Sequence, residues 1–396
     1  MPTYSFRDAR NVVVERVLAL RKLETESVRL GEAAGRVSAQ PVQADRDYPP
    51  VARSIRDGFA VRARDLPGTV DVIGEVRAGD RFDGVVGPGQ CVEIMTGAPM
   101  PRGADAVVMV EHTRSEAGRM TTDRAPAAGE FINPAGAEAR HGETILEAGT
   151  LLGFAQIGLL ATVGKSMVEV YRQPQVAILA TGDEVVPVDA TPRDNQVRNC
   201  NAWTVAAQVA RCGGIPVVLP VARDDVDETR SLIGKGLERD MLLLTGGVSA
   251  GKYDFVEPVL AEYGAEFYFD RVLIQPGQPL VFGRAAGQFF FGLPGNPASA
   301  MVTFEAFGRA AVELLSGRAS SELRLPRLRL TSDFRHKTGL TRFLPARVNE
   351  EGTEVTPLRW QGSSDVPALA RANAWLVVDA DREQWQAGEQ IGVLFQ

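Results

Sequence analysis

The chain has 396 residues, with 43 Lys and Arg against 50 Asp and Glu, and a net charge of −7. This acidic balance argues against a basic nucleic-acid-binding surface, and no apolar run reaches the ~18 residues that cross a membrane. The three cysteines have no metal-ligand spacing and the three histidines are scattered, which disfavours zinc chemistry and Ser-His-Asp chemistry. The N-terminus has no signal-peptide core, which disfavours secretion, so we expect a cytoplasmic protein.

The first part of the chain is predicted to be a helix followed by β-structure. Apolar residues within 13–20 have helical spacing, and Ser5 or Asp8 could cap the start of this helix. Residues 69–113 then carry short strand-like runs separated by Gly, Pro and Asp turns. We therefore expect a β-rich lobe after the first helix.

Two loops of this lobe carry candidate ligand groups. Asp57 precedes Gly58 in a turn, where a carboxylate can face a metal or a polar ligand; the alternative is a solvated turn aspartate. Thr96 lies in a loop that two prolines and two glycines make rigid. This loop is either a plain hairpin connection or one that offers its hydroxyl and amides to a ligand.

Strands and helices alternate from residue 175 to residue 316, which predicts an α/β domain. The apolar runs predict strands at 176–180, 215–219, 241–244 and 289–292. The helical patterns fall at 201–211, with Asn199 or Asn201 as its cap, and at 228–237 and 300–315.

Three loops of this domain share one design, because each follows a strand, carries glycine and ends near a carboxylate or a helix start. Glycine lets the backbone approach a ligand, and the carboxyl ends of parallel strands meet at one edge of the sheet. Any one of these loops could be an ordinary tight turn, since none is a Walker or GxGxxG motif. Together they predict a site for an anionic small molecule, with these candidate residues: Gly182, Asp183 and Glu184; Gly246, Gly247, Ser249, Gly251, Lys252 and Asp254; Pro294, Gly295, Asn296, Pro297 and Ser299.

Charge arithmetic adds a metal to this prediction. The candidate acids are Asp57, Glu184, Asp224 and Asp254. A helix end attracts an anion by only ~0.3–1 kcal/mol, whereas a carboxylate ~4 Å from a phosphate repels it by ~4 kcal/mol at an effective dielectric near 20. Mg²⁺ resolves this conflict because it binds one or two carboxylates together with substrate phosphate oxygens. We therefore expect a magnesium-dependent phosphate or phosphoanhydride site, unless the acids are simply solvated.

Residues 322–396 lose the helical signal and read as a small all-β module with one short helix near 366–372. Four domains are therefore predicted for the whole chain: a helical and linker domain of residues 1–44 and 140–172, a β-rich lobe of 45–139, an α/β domain of 173–318, and a C-terminal β domain of 319–396.

These segments, in this order, resemble the molybdopterin molybdenumtransferase family (MoeA), which includes the C-terminal domain of gephyrin. The matching text is SIRDGFAVRARD, IMTGAPMPRGADAVVMVE, ILATGDEV, TGGVSAGKYDF, PGQPLVFG, GLPGNPASAMVTF and GSSDVPALARANAWLVV. The resemblance spans nearly the whole chain. It implies an elongated multidomain subunit of α/β plus β class, with a central α/β (MogA-like) domain, an N-terminal mixed β region and a C-terminal small β-barrel.

The resemblance also implies a function. Family enzymes take adenylylated molybdopterin and molybdate, cleave the adenylyl anhydride with Mg²⁺, release AMP and leave molybdenum on the dithiolene. A homodimer is implied, in which the β-rich lobe of one subunit faces the α/β domain of the other, and other molybdenum cofactor biosynthesis proteins are further candidate partners. Carried over by position, the catalytic residues are Asp57, Thr96, Glu184 and Asp254, and the metal ligands are Glu184, Asp224, Asp254 and Glu138.

The chain departs from the family pattern at charged positions. The usual KPGKP is here a segment with Gln275 and Gln278, so two expected cations are amides that cannot donate a charge-assisted hydrogen bond. Lys252 stands where the family has glutamate, and Arg56 is an added cation. Glutamate stands for aspartate at Glu138, and Asn133 stands for arginine. We still count Gln275 and Gln278 as substrate-binding residues.

These departures leave two functions open. Lys252 or Arg56 could rebuild the anion site of an active enzyme. Alternatively, the chain is a degenerate paralogue that binds pterin or serves as a scaffold without turnover. The PGQP segment discriminates between them, because an oxyanion site needs positive charge there or nearby. A generic nucleotide-binding α/β protein is disfavoured, since the sequence has no dinucleotide or Walker motif.

Overall fold

The computed structural model describes residues 3–246 and 255–396, which fall into two units. The larger unit consists of Met1–Ala39, Gly149–Ile157 and Met167–Gln396, and the smaller unit of Gln40–Ala148 and Gly158–Ser166. Each unit has its own sheets and its own buried core. Within the described residues, no helix has both the length and the apolar character needed to cross a membrane.

The smaller unit is built on a six-stranded mixed sheet. Successive residues of its strands alternate between two apolar clusters, with Phe59 and Val61 in one and Ala60 in the other. The strands, in spatial order, are Ala106–Met109, Gly58–Val61, Gln90–Ile94, Gly68–Val76, Arg119–Thr122 and Arg114–Glu116. Two short pairs accompany this sheet: Val42–Gln43 with Thr144–Leu146, and Arg53–Ser54 with Ile132–Asn133.

The larger unit contains a central sheet of six strands. Four of them are parallel and occur where the sequence predicts strands. The other two form an antiparallel extension that was not predicted. The predicted α/β pattern alternates strands with helices, and among the described residues no helix separates these two strands from the parallel strand that they extend. The spatial order is Ile215–Val218, Gln175–Ala180, Met241–Thr245, Gln288–Leu293, Val281–Ala285 and Glu266–Phe269.

Helices cover both faces of this sheet. Ile178 and Leu243 face one apolar cluster, whereas Leu179 and Leu244 face the other, so the parallel strands are buried on both sides. The helices that contribute to the two clusters are Phe6–Leu20, Cys200–Arg211, Val226–Leu237, Val256–Glu262, Pro297–Thr303 and Arg309–Leu315.

Side-chain caps fix where these helices begin. Ser5 accepts a hydrogen bond from the Asp8 amide, and Asn199 accepts one from Ala202, so one of the two predicted candidates is the cap in each case. The sequence analysis did not identify Asp225 as the cap of Val226–Leu237. The helix predicted at 300–315 instead begins at Pro297 and contains a π-helical turn at Phe304–Gly308.

The last part of the chain forms a five-stranded barrel, which is closed by the pairing of Thr341–Val348 with Ala374–Val378. Around the barrel the strands are Thr341–Val348, Glu354–Pro357, Arg327–Leu330, Gln390–Phe395 and Ala374–Val378. The short strand Ile274–Gln275 joins it from outside and places Gln275 opposite Arg342. Further elements of the larger unit are the helix Val366–Arg371, the short 3₁₀ helix Leu30–Glu32, and the strand pairs Thr25–Arg29 with Met167–Tyr171, Val185–Val186 with Val197–Arg198, and Phe334–Arg335 with Gln384–Trp385. The helix Phe154–Thr162 begins in this unit and ends in the smaller one.

A charged network anchors the helical segment that starts at Pro297. Glu305 and Glu313 are only 2% and 3% exposed. Arg309 lies between them and donates to Glu305 at 2.7 Å and to Glu313 at 2.9 Å. Arg211 donates a further hydrogen bond to Glu305, and Arg318 donates one to Glu313. Buried carboxylates of this kind are tolerated because they are paired.

We expect Arg309→Met to destabilise the chain by about 3 kcal/mol, since it leaves two buried carboxylates short of a cation. The matched control is Arg335→Met, which breaks the exposed pair with Glu383 and is expected to cost under about 1 kcal/mol. Urea unfolding of both variants measures the difference. Equal midpoints for the two variants would contradict the role given to the network.

Candidate functional site

The three glycine loops start side by side at the carboxyl edge of the central sheet. Thr181 follows one strand and donates its backbone N–H to the Thr245 carbonyl of the next strand at 3.1 Å. Gly246 donates in the same way to the carbonyl of Leu293 at 3.2 Å, and Pro294 follows that residue. The tertiary structure thus brings the starts of the three predicted loops to one edge.

A cavity of about 680 Å³, here called the edge cavity, lies along this edge. Six predicted site residues line it: Glu184, Gly246, Pro294, Gly295, Asn296 and Pro297. Asn199, Cys200 and Asn201 also line it, although the sequence analysis considered two of them only as helix caps. Asn201 donates its side-chain N–H to the Gly295 carbonyl at 2.7 Å and so ties the Cys200–Arg211 helix to the third loop.

Two glycines are required by the local geometry of these loops. Gly182 has a φ of +122°, and a Cβ there would come within 2.5 Å of a Glu184 carboxylate oxygen. Gly246 has a φ of +88°, and its Cβ would lie 3.0 Å from the Thr181 carbonyl oxygen. A side chain at Gly182 would therefore push the Glu184 carboxylate aside, and one at Gly246 would press on the backbone of the first loop.

The acids near this edge repel one another. Asp183 accepts a hydrogen bond from the Asp224 backbone N–H at 3.2 Å, which joins the first loop to the following acidic loop. Burial, followed by the charges of Asp183 and Glu184, raises the pKa of Asp224. In residues 3–246 and 255–396, no group of three or more His, Cys, Asp or Glu side chains is positioned to hold a metal ion. The described acids therefore do not form an all-protein metal cage; a cation held by them would need waters and substrate oxygens as its remaining ligands.

A second cavity of about 490 Å³, here called the barrel cavity, adjoins the first. Pro279, Pro294 and Asn296 line both. The predicted residues Gln275, Gln278 and Ser299 line only the barrel cavity, together with His336, Arg342 and Trp360 of the C-terminal part. These last three residues were not predicted as site residues, since no local pattern connects them with the PGQP segment.

Arg342 is the main electrostatic feature of the barrel cavity. Arg342 is only 6% exposed, and burial lowers the pKa of its guanidinium group. Its Nε donates to the Lys337 carbonyl at 3.2 Å, but no carboxylate pairs with it in the part of the chain that the structure describes. A buried cation without a carboxylate is costly, and an anion in the cavity would relieve that cost.

The smaller unit holds the other predicted acids. Thr96 donates its backbone N–H to Asp57 at 2.6 Å, and the Thr96 amide and hydroxyl lower the pKa of the exposed Asp57 carboxyl. A cavity of about 500 Å³ in this unit is lined by Thr96, Asn133 and Glu138. Asn133 donates to the Glu138 carboxylate at 2.8 Å, so an amide occupies one of its oxygens. The candidate cation Arg56 does not line this cavity.

Five predicted site residues lie outside the described residues: Gly247, Ser249, Gly251, Lys252 and Asp254. Their assigned roles, including those of Asp254 as a catalytic residue and a metal ligand, stay predictions.

Glycine loops at a parallel-sheet edge, clustered acids and a buried cation that has no carboxylate partner among the described residues are typical of an α/β protein with a site for an anionic small molecule. Comparison with protein families agrees with this class. Residues 4–164 match the MoeA N-terminal region (domain I and II), 177–314 match a probable molybdopterin binding domain, and 327–395 match the MoeA C-terminal region (domain IV).

Individual relatives agree as well. The chain is 35% identical to the molybdopterin molybdenumtransferase of Bacillus subtilis over 96% of this chain and 92% of that protein. It is 37% identical to the enzyme of that name from Nostoc sp., over 80% and 76%. Its fold matches two structures of the MoeA protein of Pyrococcus horikoshii, with TM-scores of 0.77 and 0.82 at 28% and 25% identity over at least 99% of each chain.

The chain therefore belongs to the MoeA family, the molybdopterin molybdenumtransferases, and its role lies in molybdenum cofactor biosynthesis. The predicted family and fold class are both confirmed: a central α/β (MogA-like) domain, an N-terminal β region and a C-terminal small barrel. The four domain boundaries and the functions of individual residues stay predictions.

We expect Gly182→Ala to lower molybdenumtransferase activity about tenfold, because the added Cβ must displace the Glu184 carboxylate. The control is Gly264→Ala, which has a φ of +68° and no atom within 4 Å of the added Cβ. Gly264→Ala pays about 1–2 kcal/mol of backbone strain and keeps its activity. Paired melting and activity measurements separate the two effects, and equal activities would contradict the requirement at Gly182.

Proposed function

We propose that this chain inserts molybdate into adenylylated molybdopterin in a magnesium-dependent reaction that releases AMP. The observation that carries the proposal is the buried Arg342 guanidinium beside the PGQP segment. An oxyanion site needs positive charge at that segment, and Gln275 and Gln278 cannot supply it. Arg342 lies opposite Gln275 in the strand pairing and supplies that charge from the barrel.

In this proposal the barrel cavity binds molybdate. The guanidinium offers charge-assisted hydrogen bonds to a tetrahedral dianion, and Gln278 and Ser299 offer neutral ones. Each charge-assisted bond contributes about 1.5–3 kcal/mol. The anion in turn neutralises a cation that is buried without a carboxylate, so binding also removes part of the free-energy cost of burying Arg342.

The edge cavity takes the adenylylated pterin. Because the two cavities share Pro279, Pro294 and Asn296, molybdate and the pterin substrate would lie next to each other. Molybdenum transfer to a dithiolene requires such adjacency. Backbone amides of the glycine loops would donate to the anhydride phosphates at the sheet edge.

Glu184 and Asp224 are the described residues of the larger unit that would hold Mg²⁺, and Asp254 and Glu138 complete the predicted set. The metal would neutralise the anhydride charge, which the acids would otherwise repel. Asp183 positions the Asp224 loop, because its carboxylate accepts a hydrogen bond from the Asp224 backbone N–H. Asp57 stays ionised because Thr96 stabilises its carboxylate, so it can accept a proton or a metal contact during anhydride cleavage. The homodimer that the family resemblance implies is part of this proposal.

We expect Arg342→Met to weaken molybdate binding by about 10- to 100-fold, since it removes the guanidinium group and keeps an apolar stem of similar length to the aliphatic part of arginine. Titration calorimetry with molybdate measures the loss. Arg347→Met, an exposed position on the same strand, is the control and should bind normally. Wild-type affinity in Arg342→Met would exclude the barrel cavity as the oxyanion site.

We expect Asp57→Asn to reduce molybdate-dependent AMP release from adenylylated molybdopterin by at least about 10²-fold, because the amide cannot act as a base. The exposed Asp123→Asn in the same unit serves as the control. The unchanged chain decides the alternative function. If it binds the adenylylated pterin tightly but releases no AMP with Mg²⁺ and molybdate, it is a binder or scaffold and the enzymatic proposal fails.

A further inference from the structure

The barrel cavity has little formal charge for a dianion. Among the described residues that line it, Arg342 is the one permanent cation, and no carboxylate lines it. Gln275 and Gln278 contribute amides, and Ser299 contributes a hydroxyl. The pocket must therefore complete its anion contacts with neutral donors.

His336 is fixed in the wall of this cavity by two backbone hydrogen bonds. Its Nδ1 accepts the Lys337 backbone N–H at 2.9 Å, and its own backbone N–H donates to the Glu383 carbonyl at 2.9 Å. The ring of Phe334 lies alongside, with the ring centroids 6.0 Å apart. The ring is therefore held in place before any ligand arrives.

These contacts decide which nitrogen carries the proton. An imidazole nitrogen that accepts a hydrogen bond has a free lone pair, so in the neutral ring the proton lies on Nε2. Burial, followed by the charges of Arg342 and Lys337, lowers the pKa of His336 and keeps the ring neutral at neutral pH. Nε2–H is consequently a donor that does not depend on a positive charge.

We infer that His336 donates its Nε2–H to the oxyanion in the barrel cavity and makes the site selective for fully deprotonated tetrahedral dianions. This inference rests on the proposed oxyanion site. Molybdate at neutral pH accepts hydrogen bonds at every oxygen. Hydrogen phosphate carries an O–H that cannot face the His336 Nε2–H or the Arg342 guanidinium, since both only donate, and no carboxylate among the described lining residues accepts it. The fixed donor at His336 thus favours the first class of anion over the second.

The test compares three substitutions of His336 by titration calorimetry with molybdate. The side-chain amide nitrogen of glutamine can reach the position of Nε2, whereas that of asparagine corresponds to Nδ1. We expect His336→Gln to bind molybdate within about threefold of the unchanged chain, and His336→Asn and His336→Ala to bind about tenfold more weakly. His112→Gln, an exposed histidine in the smaller unit, is the control and should bind normally.

The outcomes separate the inference from the proposed function. Unchanged affinity for molybdate in all three variants would overturn the donor role. An equal loss of affinity in all three, including His336→Gln, would also overturn it, because it would indicate that the side chain contributes packing alone. Inorganic phosphate competing as well as molybdate in the unchanged chain would overturn the selectivity. If Arg342→Met also binds molybdate normally, the oxyanion site itself is wrong, whereas a loss in Arg342→Met alone rejects only the role of His336.

Discussion

The parallel hydrogen-bond ladder of the central sheet is the constraint on which the site depends. Strands Gln175–Ala180, Met241–Thr245 and Gln288–Leu293 pair in register, so they end together. The starts of three loops that are far apart in sequence therefore lie at one edge and line one cavity. Helices bury both faces of these strands, which holds the edge rigid without any contact from a ligand. The binding geometry is thus a consequence of the core.

The two adjoining cavities divide the charges of the site. Glu184 and Arg198 line the edge cavity, whereas Arg342 is the buried cation of the barrel cavity. Neutral residues, Pro279, Pro294 and Asn296, form the wall that they share. This separation matters because a direct pair between Arg342 and a carboxylate would neutralise both groups. Each cavity instead keeps a charge that an ionic ligand can satisfy.

In our proposal, Arg342 takes the place of the two lysines that the family resemblance implies for the PGQP segment. Lys252 lies outside the described residues, and the candidate substitute Arg56 belongs to the smaller unit. Arg342 of the barrel does lie at the segment, on the strand that pairs with Ile274–Gln275. Its backbone is positioned by the barrel strand and its Nε by the Lys337 carbonyl, which suits it to the oxyanion site that we propose.

The sequence by itself determined the family, the fold class, the strands of the parallel sheet and the three glycine loops. Local patterns sufficed there, because a buried strand, a glycine turn and a helix cap each depend on a few neighbouring residues. Only the tertiary structure decided which distant groups meet: Arg342 and His336 beside the PGQP segment, Asn201 against Gly295, and the pairing that closes the barrel. Periodicity reports that a residue is buried but not what it packs against, since that choice is made by contacts between remote parts of the chain.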